Sequence, residues 1–488
     1  MAREPDAAAS WIAPGGPPMP SLTPLDPWIA GIVAAESPGE SAHLVAAEAP
    51  RGPAGPPRPP AAGTGRLDRG RLEAYQLRRV RETVALAQER GSFYRNLLSR
   101  TGGAASIDSL DDLARLPLTT AVDLRANPLA FLCVSQAEIR RVVTLQTTGT
   151  TGSPKRLFFT EADQALTVAF FEVGMSTFTR PGDRVLILLP GRTPGSVGDL
   201  LGTALANIGA EPVPHGLVED PGRAARLARD AGVTVMVGVP TQVLGIVRAS
   251  PDASMPRVHS ILMSTDHVPM AIARAVTAAW GCRVYNHWGM TETGLGGGVD
   301  CEARRGYHVR EADLLIEVLD PATGIAVADG EPGEIVLTTL TRVGMPLVRY
   351  RTGDVGRWIP GRCPCGTRLR TLAHVTTRLA GIVDLGGGLT LTQADLDEAL
   401  FPIEGVMDFS SRLRFVDGRR ALRVELLLAP AAVRGAARAL ASARRAVGRI
   451  PSIARSRTLG TMAMPDVSVG TQQRAVSGGA KRAVIIEE

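Results

Sequence analysis

Aromatic residues are scarce in this chain: Phe, Trp and Tyr together make up 4% of its 488 residues. Single-stranded nucleic acid is held by stacking rings interleaved with cations along a groove, and no stretch supplies that combination, so a nucleic-acid partner is not expected. Charge of one sign is not concentrated either. Lys and Arg number 54 against 48 Asp and Glu, a net +6, but the arginines are spread out and no long block of like charges occurs. A generally basic surface of this kind suits small polyanionic ligands. Long apolar runs are missing as well: none approaches the roughly 18 residues that cross a bilayer, and the first residues lack a charged-then-apolar leader pattern. No membrane partner is expected, and the expected compartment is the cytoplasm. Five cysteines in so long a chain are too few for a disulfide framework; in a reducing compartment, clustered ones point to metal or chemistry.

What is present is the composition of a globular protein, 44% hydrophobic and 21% charged, long enough for one large domain and at least one smaller one. Residues 1–64 are rich in Pro, Ala and Gly and read mostly as a flexible extension, although the segment LTPLDPWIAGIV has enough apolar character to dock. From Arg71 the texture becomes helical, with Leu72, Tyr75, Val80, Val84 and Ala87 near a 3.6-residue period until Gly91. Short apolar runs then alternate with helical stretches. RVLILLP from Arg184, VTVMVGVP from Val233 and SILMS from Ser260 have the character of buried strands, which predicts a mostly parallel sheet covered by helices. Near Asp313 hairpin signals take over, and the last hundred residues read as a compact α+β unit with a hairpin turning at Asp417–Gly418. No internal repeat is visible.

The densest chemical signal is Thr147-Thr148-Gly149-Thr150-Thr151-Gly152-Ser153-Pro154-Lys155, placed after the strand-like RRVVTLQ. Glycines let backbone approach an anion, hydroxyls and exposed amides wrap phosphate oxygens, and Lys155 adds a point charge. The segment lacks the Gly-Lys-Ser/Thr ending of a Walker loop, which disfavours a P-loop nucleotidase. The second segment is Trp288-Gly289-Met290-Thr291-Glu292. Alone it would read as a helix start with a buried tryptophan; beside a phosphate loop the nucleotide reading is favoured. The third is MPLVRYRTGDVG, in which Asp354 follows a Thr-Gly turn and can accept both hydroxyls of a ribose.

These three segments, in this order, resemble the acyl-adenylate-forming superfamily, and the chain from about Arg66 onward is similar to its phenylacetate-CoA ligase-like branch. The resemblance implies an α/β fold: a large N-terminal adenylate-forming domain over 65–378, with helix-covered, mostly parallel sheets and a β-rich subdomain, and a small mobile α+β domain over 379–488. It implies that residues 147–152 and Lys155 hold ATP phosphates, that Trp288 with Gly289 covers adenine, that Thr291 meets the α-phosphate and that Glu292 holds Mg²⁺. Asp354 and Arg378 then take the ribose, and Asp266 contacts adenine. The implied reaction converts a carboxylic acid and Mg-ATP to acyl-AMP and pyrophosphate, then passes the acyl group to coenzyme A; the implied small-molecule partners are thus the acid and ATP. A homodimer stays open. Charge positioning rather than a protein nucleophile drives such chemistry.

Two departures stand out. Where the branch has its adenylation lysine, this chain has Gly479; Lys481 lies two residues on, which in an extended strand is the same face shifted by about 7 Å, so Lys481 is the expected replacement. Arg378 is followed by Leu379-Ala380-Gly381 rather than by an acidic hinge pair, while Gly386-Gly387-Gly388 resembles the loop that meets the thiol cofactor. A nucleotide binder without ligation, or an adenylate-former with an amine or carrier-protein acceptor, therefore remain as alternatives. Finally, Cys363 and Cys365 in a C-x-C turn, with Cys301 and His308 upstream, form the ligand set of a structural Zn²⁺. Cys133 and Cys282 read as core residues, and His287 as a candidate to line the acyl pocket.

Overall fold

The computed structural model describes residues 21–36, 66–99, 101–145, 154–249, 255, 257–416, 418–470 and 482–487. Residues Thr147 to Gly152, expected to hold phosphates, and Gly479 and Lys481 lie outside this set.

The parallel strands fall where the apolar runs put them. Glu211–Pro214, Arg184–Leu188, Val235–Gly238, Ser260–Met263 and Arg283–Trp288 lie side by side and parallel. Their β-branched and aliphatic side chains are covered on both faces, by helices such as Glu161–Met175, Val197–Asn207 and Pro240–Ala249. From Trp288 the sheet continues antiparallel through Gly298–Asp300, Tyr307–Val309, Thr371–Leu372 and Trp358–Ile359, giving nine strands. The expected hairpin region is a separate four-stranded antiparallel sheet of Leu314–Leu319, Gly333–Thr339, Tyr350–Gly356 and Thr377–Arg378.

Helix boundaries follow local chemistry. Asp68 accepts from the Arg71 amide and starts the long helix Arg69–Arg90, which buries Leu72, Tyr75, Val80, Val84 and Ala87 and ends at Gly91. Thr160 and Asp163 exchange hydrogen bonds at 2.8 and 3.1 Å in a capping box that turns the Lys155–Thr160 strand into the next helix.

Towards the C-terminus, Val406–Val416 pairs with Arg419–Leu428 across the predicted turn, flanked by Asp466–Val469 and Ile485–Ile486 in a four-stranded sheet. Val383, Leu396 and Leu400 share one apolar cluster with Leu244 and Ile246. Between the Val383–Gly386 and Leu389–Leu391 strands, Gly386, Gly387 and Gly388 all have positive φ, a run of left-handed backbone that only glycine sustains without strain.

Within residues 1–64, the segment LTPLDPWIAGIV docks, as its apolar character allowed. Leu25–Ala35 is a helix that buries Leu25, Trp28, Ile29 and Val33 against the large domain. Its Asp26 is buried and accepts from the Leu67 amide at 3.0 Å, the Thr367 hydroxyl at 2.6 Å and the Arg368 amide at 3.0 Å. Truncating Asp26 to Ala strands the buried Leu67 amide and the buried Thr367 hydroxyl and is expected to cost about 3 kcal/mol in urea unfolding. A change below roughly 0.5 kcal/mol, the size of an ordinary surface substitution, would show that this docking contributes little.

Candidate functional site

The turn after the Arg283–Trp288 strand carries the first half of the site. Gly289 has no room for a side chain, since a Cβ there would meet the Leu295 carbonyl at 2.7 Å and His287 at 2.9 Å. Thr293 then closes the turn: its hydroxyl accepts from the Met290 amide at 3.0 Å and donates to the Met290 carbonyl at 2.8 Å. This places Thr291 at the edge, half-buried, and Glu292 inside, 1% exposed. A carboxylate so poorly hydrated requires partners. Lys155 forms an ion pair with Glu292 Oε1, and the Tyr350 hydroxyl donates to the same oxygen at 2.9 Å. Lys155 Nζ also stands 3.5 Å from that hydroxyl.

The strand Tyr350–Gly356 carries the second half. Its alternation buries Tyr350, Thr352 and Asp354 on one face. At the far end of that face Asp354, fully buried, accepts from the Trp288 indole N–H at 3.0 Å and pairs with Arg378 Nε at 2.7 Å. Arg378 is Asp354's cross-strand neighbour and also donates to the Thr352 carbonyl at 3.0 Å. Turn and strand therefore meet at two rungs, Trp288 to Asp354 and Glu292 to Tyr350.

The sequence-predicted residues Lys155, Trp288, Gly289, Thr291, Glu292, Asp354 and Arg378 thus come together. The Trp288 ring itself is 3% exposed and packed in the apolar cluster with Phe158 and Tyr307, so in this state it serves as a wall and a hydrogen-bond donor. Asp266 is held elsewhere. One oxygen accepts from the Arg482 amide at 3.3 Å and the other from the His267 amide at 2.9 Å, and burial pushes its carboxyl above the ordinary range. Its neighbours are the C-terminal residues Arg482 and Asp397.

Three residues of the site were missed in the sequence. Tyr350 was quoted within a motif but given no role; burial first, then Glu292, holds its phenol well above the usual value. Arg342 donates to the Glu292 carbonyl at 3.0 Å, and Arg310 donates to that of Thr293. Both guanidiniums are buried, and burial pushes Arg310 down to about 10. They brace the turn from behind, and only a motif containing both would have revealed them.

Behind the turn lies an apolar cavity at the carboxyl ends of the parallel strands, lined by Phe170, Met175, Leu189, Val237, Leu262 and others, with Ser264 and His287 as its polar members. A crevice at that end of the sheet is where open α/β folds bind ligands. The four soft-metal candidates also converge. Cys301, His308, Cys363 and Cys365 are all buried, and their ligand atoms lie within 4.8 Å of one another. Cys301 and Cys363 are separated by 3.6 Å between sulfurs, and Cys365 Sγ is 3.5 Å from His308 Nε2. These match the edges, about 3.6 to 3.8 Å, of a tetrahedron with zinc bond lengths, and exceed a disulfide bond. His308 Nδ1 faces the Arg370 carbonyl at 3.3 Å, leaving Nε2 for a metal.

Residues 108–341 match the AMP-binding enzyme family. The phenylacetate-coenzyme A ligase of Thermus thermophilus is 31% identical over 316 residues, 62% of this chain and 68% of that one. This chain belongs to the phenylacetate-CoA ligase family. The Aromatoleum evansii member is 30% identical over 319 residues, 63% of this chain and 70% of its own. A crystal structure of 2-hydroxyisobutyryl-CoA ligase in the postadenylation state, in complex with 2-HIB-AMP, superposes with a TM-score of 0.73 at 21% identity, over 85% of this chain and 90% of that one. The α/β ligase fold of the family is thereby established for this chain.

The ligase cavity carries a pH signature. Burial first, then Arg310, pushes His287 down to about 4, below its unfolded value near 6.5. Between those values the unfolded chain binds a proton that the folded one does not, so this histidine's contribution is complete above pH 6.5 and is lost as pH falls toward 4. His287→Phe is expected to gain stability relative to the parent by up to roughly 3 kcal/mol across that window. Urea unfolding of both proteins at pH 7 and pH 4.5 checks it; a pH-independent difference would refute it.

Proposed function

We propose that this chain activates a carboxylic acid with ATP, forming an acyl-adenylate and pyrophosphate, and transfers the acyl group to coenzyme A. The observation that carries the reading is the pair of rungs between the 288–292 turn and the 350–354 strand, which sets a phosphate-handling group and a ribose-handling group on one wall. In this reading Asp354 and Arg378 hold the ribose hydroxyls, with Trp288 fixing the Asp354 carboxylate from below. Lys155, freed from Glu292, neutralises phosphate, and Thr291 donates to the α-phosphate as the acid's carboxylate attacks. The Thr147 to Gly152 loop wraps the remaining phosphate oxygens; its flanking residues Leu145 and Lys155 are strand partners in a hairpin. Glu292 is a hard oxygen donor already matched to a cation, which fits Mg²⁺, and that ion supplies charge neutralisation on the phosphates when bound. The apolar cavity takes the acyl group, and the Gly386 to Gly388 turn offers close backbone approach to the thiol cofactor.

Positioned charge of this type accounts for roughly a hundredfold to a thousandfold in rate per group removed. Pyrophosphate release from ATP across a panel of carboxylic acids tests the activity, and Glu292→Gln is expected to lower kcat/KM by at least about 100-fold. Lys481→Ala is expected to abolish release as well. Gly479, standing where the family has its lysine, favours a second reading, nucleotide binding without ligation: tight ATP binding by calorimetry with no pyrophosphate from any acid would select it. An adenylate that forms but is discharged by an amine or carrier protein and not by coenzyme A would move the acceptor.

The cysteine and histidine cluster is assigned a structural Zn²⁺ in the same reading, for its donor set, burial and spacing. Three thiols that must stay reduced suit a cytoplasmic location. About one zinc per chain is expected by metal analysis, with Cys363→Ser lowering both zinc content and the unfolding temperature. Metal-free protein of unchanged melting behaviour would remove the assignment.

A further inference from the structure

The cavity behind the turn has apolar walls from Phe170, Phe171, Met175, Val237 and Leu262, and one polar corner. In that corner Ser264 Oγ lies 2.8 Å from His287 Nδ1. The other ring nitrogen, Nε2, is buried and has no hydrogen-bond partner among the described residues. An orphaned imidazole nitrogen costs stability unless a ligand meets it. We propose that His287 is a specificity-determining residue of the acyl pocket, selecting a monocarboxylic acid whose apolar body carries a neutral hydrogen-bonding substituent, a hydroxyl above all. The inference rests on the reading of this cavity as the acyl pocket.

The choice of substituent follows from the chemistry of the corner. Burial and the nearby Arg310 keep the ring neutral at ordinary pH, so one nitrogen donates and the other accepts. Which is which depends on whether Ser264 donates to Nδ1 or accepts from it. A hydroxyl both donates and accepts, so it satisfies Nε2 in either tautomer. A second carboxylate or an ammonium would be stripped of water by the aromatic and aliphatic walls. An ammonium would moreover meet the Arg310 guanidinium, which stands 5.3 Å over the Phe170 ring. An acid of purely apolar tail enters the cavity but leaves Nε2 unmatched, and sites built around a hydrogen bond discriminate against that loss more strongly than apolar pockets discriminate by size.

The test uses the full-length protein and pairs of acids differing by one hydroxyl: 4-hydroxyphenylacetate against phenylacetate, 3-hydroxyphenylacetate against phenylacetate, and 2-hydroxy and 3-hydroxy short-chain acids against their deoxy counterparts, each read as pyrophosphate release. In the parent at least one hydroxy acid is expected to exceed its deoxy partner in kcat/KM by about 10- to 100-fold. His287→Phe is expected to erase or reverse that ratio, chiefly through KM of the hydroxy acid, while His287→Gln, which keeps a neutral hydrogen-bonding end, retains part of it. His287→Met replaces the phenylalanine variant if the latter does not fold. Equal or better turnover of every deoxy acid by the parent overturns the inference, as does a hydroxyl preference that survives the apolar replacement. No pyrophosphate from any acid of either series would instead bring down the activation reading, and this inference with it.

Discussion

Two carboxylates that water barely reaches organise this molecule. Glu292 and Asp354 are 1% and 0% exposed, and a buried carboxylate is tolerable only where a cation and hydrogen bonds replace its hydration. The replacements come from other elements: Lys155 from the second strand of the 139–160 hairpin, and Arg378 from the strand Thr377–Arg378. Charge neutralisation thus fastens the hairpin, the turn at the end of the parallel sheet and the four-stranded sheet to one another. Breaking one such pair leaves the other charge buried, so the pieces are coupled more tightly than their apolar contacts alone would make them. In the function proposed, a polyphosphate competes with Glu292 for Lys155, so the cation that pairs with Glu292 is the one that meets the ligand.

Legibility in the sequence tracked the range of the interaction. Strands such as Ser260–Met263 and helices such as Arg69–Arg90 were readable because their signals are local: a β-branched run, a 3.6-residue apolar stripe, a capping aspartate and a terminating glycine. Glu292, Asp354, Arg378 and Lys155 were readable through the segments containing them. Tyr350, Arg310 and Arg342 were not, because each acts on the turn across tens of residues and no spacing rule announces it. Trp288 is the buried tryptophan of a tight turn, as its segment read alone suggested, and its indole N–H donates to Asp354. The docking of the helix Leu25–Ala35 was legible in its apolar character, but its helical form was not. At 11 residues it is too short to be stable alone, and its order comes from tertiary contacts at Asp26 and Trp28 that composition does not encode.

The attachment of the small domain has the same logic. Arg482 is buried, pairs with Asp397 at 2.6 Å and Asp408 at 3.1 Å, and lies over the rings of Phe401 and Phe409 at 4.9 and 4.5 Å. Its amide donates to Asp266. A guanidinium fits here where an ammonium would not, since its planar face stacks on rings while its edge serves two carboxylates.

The cysteine and histidine cluster has a positional consequence for the site. The strands around it, Tyr307–Val309, Trp358–Ile359 and Thr371–Leu372, are two or three residues long, too short for ladder hydrogen bonds to define alone. The cluster joins the loops beyond them, and the N-terminal helix clamps the same loops, through Asp26 to Thr367 and Arg368, and the Ser21 amide to Glu302. On the other side Glu311 accepts from the Arg370 amide at 2.9 Å, and its carbonyl receives the Gln76 amide from the long helix. From this fixed edge the chain runs directly through His374, paired with Asp300 at 2.7 Å, into Thr377–Arg378. The direction in which Arg378 reaches Asp354 is therefore set by cross-links remote from it in chemistry and only a few residues away in sequence.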